Sequence, residues 1–378
     1  MRGDRWAPER YDLEEELRLV KRRSPWEGAG QLPLSTENEM RIRARFRMSL
    51  LAFSLGCGLA GAESELPVEE VRSAIKKSIP LLEKTTIGTS EHRGCFTCHG
   101  HAMPVVALVE ARRRGFIIDE NNIREQLEHT LADLKVGKER YLDGRGQGGG
   151  YTRAGYALWM LREAGWRPNE ITGIVSGYLV RDEKADHWKS NTNRPPTEFS
   201  PFTATYLALE AIDRFGTKEQ ARRIAERQKK AREWLLQTNP RETEERVFQI
   251  LGLGHLGATG QAAQAAKDLL KLQRNDGGWA QLPGEERKSD PYATGSVLFA
   301  LRREGVFTDM DKSYRRGVRF LLDTQHDDGS WHVKSRSKPF QKYYESGYPH
   351  GKDQFISMAA GSWATLALLQ LIMVEKNP

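Results

Sequence analysis

The sequence predicts an all-α fold: one α6/α6 toroid, a single barrel of six helix hairpins, preceded by a signal segment. Three observations predict it. The pattern Gln273-x3-Gly277-x-Trp279 returns 52 residues later as Gln325-x3-Gly329-x-Trp331, each time at the end of an apolar helical run; repetition at a fixed period marks a repeat architecture. An Ala-Leu step recurs in one apolar stretch after another. No stretch alternates apolar and polar residues as a half-buried strand would.

Taken in chain order, residues 1–39 are charged and aperiodic, and read as an upstream extension without a fold of its own. Met40 then opens a run carrying Arg41, Arg43, Arg45 and Arg47, followed by an apolar stretch from Ser49 to Leu59 and by Ala60-Gly61-Ala62. A basic start, a short apolar core and a small-x-small site make residues 40–62 a signal peptide and the protein exported, periplasmic or secreted. A stretch of eleven residues is too short to span a bilayer. An uncleaved anchor or a buried helix are the other readings of this stretch.

From about residue 67 to 376 the chain reads as six helix pairs. The second helices carry Ala107-Leu108, Ala157-Leu158, Ala208-Leu209, Ala300-Leu301 and Ala367-Leu368, with Leu251-Gly252-Leu253 in the fourth pair. They are apolar nearly all round and are expected inside. The first helices, such as Glu69–Leu82, Asn122–Val136, Lys218–Leu236 and Asp311–Leu322, are amphipathic and belong to an outer layer. The loops between them are rich in Gly and Pro, and loops on one rim of a rigid scaffold are where function usually sits. In the repeated motif, the Gln can satisfy backbone groups at a helix end. The Gly-containing turn stops the helix, and the Trp packs on that turn and offers its indole N–H. The motif is a structural clip.

With 378 residues, 38% of them apolar, there is enough material for a core. The net charge of +7 is dispersed among acids, with no basic stripe studded with aromatics, which argues against nucleic acid.

The two motif copies resemble the QW repeats of squalene-hopene and oxidosqualene cyclases. The second copy fits the full form, from Arg316-Gly317 through Phe320-Leu321 and Gln325 to Trp331; the first has Asp268 where an aromatic belongs. Lys230-Ala231-x2-Trp234-Leu235-x3-Asn239 is read as an eroded half-copy. The same toroid occurs in the β subunits of protein prenyltransferases, and the length fits one toroid. The resemblance implies a central cavity and a hydrophobic, isoprenoid-like small-molecule partner, with peripheral membrane contact as a further expectation. It does not carry over the catalytic residues. Where class II cyclases have D-x-D-D-T-A, this chain has Asp290-Pro291-Tyr292-Ala293-Thr294-Gly295. Where prenyltransferases place a zinc-binding His, it has Ala293.

One motif is not explained by the toroid. Cys95-Phe96-Thr97-Cys98-His99 has the spacing of c-type haem attachment, with Cys95 and Cys98 as thioether anchors and His99 on the iron. A redox partner would then follow. A disulfide, a redox thiol pair and a zinc site including His101 are the alternatives. His187, Asp290, His350 and Asp353 complete the polar candidates. If their loops share a rim with His99, all five surround one pocket; otherwise each is a solvated loop residue or a helix cap. Three functions remain open. The first is an isoprenoid-binding or isoprenoid-modifying toroid with haem redox chemistry. The second is a non-enzymatic scaffold with a Cys95–Cys98 disulfide, and the third is a triterpene cyclase with a non-standard acid.

Overall fold

The computed structural model describes residues 68–305, 311–339 and 342–373. The upstream extension, the signal segment and Cys57 lie outside them.

Thirteen α-helices occur among the described residues, and the only strand-like pairing is an isolated bridge between Arg194 and Glu198. The chain runs α1 Val68–His92, α2 Met103–Arg113, α3 Glu120–Val136, a short α4 Lys138–Leu142, α5 Gly150–Glu163, α6 Glu170–Leu179 and α7 Pro201–Phe215. It continues through α8 Ala221–Gln237, α9 Thr243–His255, α10 Thr259–Leu270, α11 Pro291–Arg303, α12 Lys312–Thr324 and α13 Gln354–Leu369.

Six of these form the inner wall. Helices α2, α5, α7, α9, α11 and α13 each pack on the next in that order, and α13 packs back on α2, so the ring closes. They are buried around most of their circumference, as their composition requires: in α13 every residue of Gln354–Leu369 except Phe355 is buried. The outer helices bury one stripe only. In α8 the buried set is Arg227, Ala231 and Leu235, one residue per turn. The six-pair toroid expected from the sequence is the observed fold. The first outer helix is longer than the expected Glu69–Leu82. Its buried stripe continues past Pro80 through Thr85, Thr86 and Thr89, a polar continuation that hydropathy does not reveal, and the helix ends at His92.

The two Gln-Gly-Trp clips do the same job. Trp279 donates its indole N–H to Leu269 O (3.0 Å) and Trp331 to Leu321 O (2.8 Å), each at the end of the preceding outer helix. Gln273 bonds Ser313 O (2.7 Å), tying α10 to α12, and Gln325 bonds Ala74 O (2.9 Å), tying α12 to α1 and closing the outer ring. Gly277 and Gly329 hold φ of +89° and +87°, and a Cβ on either would collide with a backbone carbonyl of the next outer helix. A third clip stands where the sequence showed no motif. Trp188 donates to Leu179 O (2.8 Å), and Arg227 of α8 lies 3.9 Å from its ring while bonding Ala185 O and His187 O. Arginine replaces glutamine here. Trp234, in the half-copy read from the sequence, stacks on His187 (4.4 Å) and meets Phe202 at a tilt (4.6 Å).

Candidate active site at the mouth of the barrel

The connections into the inner helices bond one another, Thr152 to Ser190, His99 to Glu198, and the segment before α13 to Glu242, Gln281 and Pro195, so the six inner N-termini surround a single mouth. The Cys-x-x-Cys-His segment forms the first of these connections. Thr97 caps a tight turn, Cys98–Ala102, that leads into α2 and packs on α5 and α13. His101 builds that turn. Its Nδ1 accepts the Thr97 N–H (2.9 Å) and its Nε2 meets Ser90 (3.1 Å). Burial, then the neighbouring His129, pushes its pKa down to about 3, so the ring stays neutral.

Cys95 is partly exposed, Cys98 is buried, and both are free thiols rather than a disulfide. Burial, then the charge of Glu198, raises the Cys98 pKa, which argues against a thiolate redox pair. Zinc is also disfavoured: among the described residues no group of three or more His, Cys, Asp or Glu side chains is placed to hold a metal. For haem c, one atom fits, since His99 Nε2 is buried and unpartnered. The surroundings do not. Cys98 and His99 are only 5% and 7% exposed, and the His99 ring meets Phe355 edge-on at 5.3 Å. A porphyrin must reach both sulfurs and Nε2 at once, and the packing leaves no such opening.

His99 instead belongs to a hydrogen-bonded chain with Glu198 and Arg194. Its Nδ1 lies 2.9 Å from Glu198 Oε1, and Glu198 Oε2 lies 2.8 Å from Arg194. Burial works against the Glu198 carboxylate, but His99 and Arg194 hold its pKa below the usual range. A carboxylate that fixes one ring nitrogen sets the tautomer and leaves the other nitrogen for chemistry.

A second acid faces the same mouth. Glu244, in the first turn of α9, is 4% exposed. It accepts the Thr203 hydroxyl at Oε1 (3.0 Å) and the Tyr292 hydroxyl at Oε2 (3.1 Å). Burial pushes its pKa up to about 8 against these two bonds, so it is a neutral carboxylic acid at pH 7. Tyr156 spans the two groups. Its hydroxyl bonds Thr197 O (3.0 Å), beside Glu198, and its own pKa is raised by burial, then by Tyr292 and Glu244.

Below the mouth the barrel axis is aromatic. Trp363 touches Trp159 (6.5 Å), Phe248 (6.2 Å) and Phe299 (5.3 Å), and Tyr206 meets Phe248 (5.5 Å). One ring from each of five inner helices thus meets on the axis, and none is more than 3% exposed. The central space inferred from the resemblance is filled by side chains. The indole N–H groups of Trp159 and Trp363 and the Tyr206 hydroxyl are buried without a hydrogen-bond partner; such a donor costs about 1–3 kcal/mol.

The other candidates do not gather around His99. His187 faces the outer layer, with Nδ1 on Asp186 (2.7 Å) and its ring on Trp234. Asp290 caps α11 through the Ala293 N–H (3.0 Å), and burial raises its pKa to about 6. His350 bonds Ser330 (2.8 Å), and Asp353 bonds His332 (2.9 Å) and the Ser335 N–H (2.8 Å). These three hold loops and caps. Sequence reasoning missed Glu198, Glu244 and Tyr292. Thr243-Glu244-Glu245 looks like an acidic first turn, and its second Glu is one: Glu245 accepts the Arg241 and Glu242 N–H groups. Only the third dimension separates the two.

A strap crosses this rim. Arg336 bonds Glu242 and Gln281 (both 2.8 Å), at the entries to α9 and α11, and Ser337 reaches Pro195 O (3.3 Å) near the entry to α7.

No family model matches the chain. A stretch of 115 residues, 30% of the chain, is 31% identical to the lanosterol synthase erg7A of Aspergillus fumigatus, and spans 14% of that protein's length. The type II terpene cyclase MstE from Scytonema, in its apo form, aligns with a TM-score of 0.50 at 15% identity, over 80% of this chain and 98% of that one. A possible member of the GH105 family from Salmonella enterica aligns with a TM-score of 0.51 at 12% identity, over 85% and 99%. The chain has the α/α-toroid fold that these solved structures share. Since differently named neighbours share that fold, it does not by itself choose a reaction.

Proposed function

We propose that this chain is a toroid enzyme that cyclises a hydrophobic, isoprenoid-like polyene by proton transfer from a non-standard acid, Glu244. The observation that carries the reading is a buried, neutral carboxylic acid whose hydroxyl partner Tyr292 adjoins Trp363 of the aromatic barrel axis. A pKa raised to about 8 keeps the proton in place at neutral pH. The Thr203 and Tyr292 hydroxyls aim at both of its oxygens, and their bonds strengthen as the carboxylate forms. In the first step an alkene π pair takes the Glu244 proton, forming a C–H bond and a carbocation. A second alkene closes the ring onto that cation. The faces of Trp159, Phe248 and Trp363 can stabilise the positive charge along the axis. His99 Nε2 takes the final proton, and Glu198 holds the resulting imidazolium. Passage of that proton through solvent to Glu244 resets the site.

Because the axis is filled, entry of a substrate requires the strap and the rings to give way. The packed axis is also what favours a second reading, a non-catalytic binding toroid. Incubation of the purified protein with squalene and with farnesol, read by gas chromatography and mass spectrometry, decides between them. Cyclic products that vanish in Glu244→Gln support the enzyme. Their absence, while an active cyclase succeeds in parallel, removes it. An absorption spectrum of protein matured with haem-attachment machinery serves the haem alternative: a Soret band would reinstate it.

A further inference from the structure

We infer that the ligand of the barrel axis carries a neutral oxygen, as a hydroxyl or carbonyl, and is neither a bare hydrocarbon nor a diphosphate. The inference rests on the proposed hydrophobic polyene but concerns its head group, and it starts from two observations independent of the acid.

The first is the set of unpartnered donors. Trp159 and Trp363 are 3% and 1% exposed, their rings are neighbours, and neither indole N–H has a well-formed hydrogen bond. The Tyr292 hydroxyl lies close enough to the Trp363 indole for a loose side-chain hydrogen bond that falls short of good geometry, whereas the Trp159 N–H has no partner. Indole nitrogen only donates. These groups stand among Phe248, Phe299 and Leu-rich walls, where Phe would pack as well without the penalty of a buried bare donor. A hydrocarbon leaves that penalty in place. An oxygen acceptor at this depth removes it, because a site built to hydrogen-bond one group discriminates strongly against the analogue that lacks it.

The second is the commitment of the cations. Arg194 pairs with Glu198 (2.8 Å), Arg153 with Asp133 (2.5 Å) and Arg336 with Glu242 (2.8 Å). A diphosphate entering the mouth would meet engaged guanidinium groups and the ionised Glu198, so charge opposes it.

The test compares farnesol, β-farnesene and farnesyl diphosphate as probes, with binding measured calorimetrically on the full chain carrying Glu244→Gln, so that turnover plays no part. Farnesol is expected to bind about tenfold more tightly than farnesene, the worth of one or two good hydrogen bonds, with the diphosphate weaker than either. In Trp363→Phe the alcohol's advantage should fall to about two-fold or less while farnesene binding is kept. Should that variant fail to fold, Trp159→Phe makes the same comparison. Equal binding of alcohol and hydrocarbon overturns this inference and leaves the proposed cyclisation standing. Tightest binding by the diphosphate also overturns it, as does an alcohol preference that survives both Trp variants. Binding by none of the three overturns it together with the proposed substrate class.

Discussion

The two ends of the inner barrel handle buried charge in opposite ways. At the base, where the inner helices end, Glu210 is fully buried among Arg162 (2.8 Å), Arg303 (3.1 Å) and His255 (3.3 Å). Burial opposes its ionisation, yet these partners hold its pKa far below the usual carboxylate range. Glu163 and Glu110 are likewise paired with arginines from the same end. At the mouth, Glu244 is just as buried and has hydroxyls for partners, so it stays protonated. Cations at helix C-termini are favoured by the helix dipole, so the base is a place where arginine and glutamate can be stored as structure. A neutral acid near helix N-termini gains no such support, and a function is the simpler reason for it to be there.

The contrast can be broken at either end. The largest effect is expected from Glu210→Ala, which strands buried guanidinium groups: a loss of about 3–5 kcal/mol of stability, seen as a lower denaturant midpoint. Glu244→Gln should do the reverse. It should keep the fold and lower any cyclisation rate by about 10²–10⁴-fold, the usual worth of a general acid. A Glu244→Gln variant that unfolds while keeping its specific activity would assign the acid to structure and dissolve the contrast.

A pH series sharpens the same comparison. The folded pKa of Glu244, about 8, lies above its ordinary 4.5. Its contribution to stability is therefore fully present below pH 4.5 and is lost as the pH rises through 8. Between pH 5 and 9 the wild type should lose a few kcal/mol relative to Glu244→Gln; parallel stability curves would contradict the raised pKa. The smallest effect is expected from Arg336→Ala. Its bonds to Glu242 and Gln281 lie at a partly exposed rim and should contribute about 1 kcal/mol or less, but ligand association should quicken in stopped-flow mixing if the strap covers the mouth.

The same two regions explain what the sequence could reveal. The clips at Trp279 and Trp331, the Ala-Leu steps and the inner and outer layers are local patterns, and they mark the toroid in the sequence itself. The third clip at Trp188 was hidden because Arg227 comes from a different helix, 39 residues away. His99 was legible as a candidate through its motif, although its partner Glu198 lies 99 residues on. Glu244 had no legible signal: burial keeps it protonated, and its two partners, Thr203 and Tyr292, are each more than 40 positions distant. His350 and Asp353 looked equally functional in the sequence, and the fold uses them to hold loops.

The bond from Gln325 to Ala74 has a wider consequence. An open stack of helical hairpins behaves as a one-dimensional chain of units, each stabilised by its neighbours, and it frays from its two terminal repeats unless they are capped. Joining the last outer helix to the first removes both ends, so no hairpin is terminal and local opening has nowhere to begin. Gln325→Ala would loosen only the outer seam between α12 and α1, because α13 still packs on α2 and α1 and keeps the inner ring closed. Amide exchange should then quicken first in those two helices, while α6 and α7, on the far side of the ring, keep their protection.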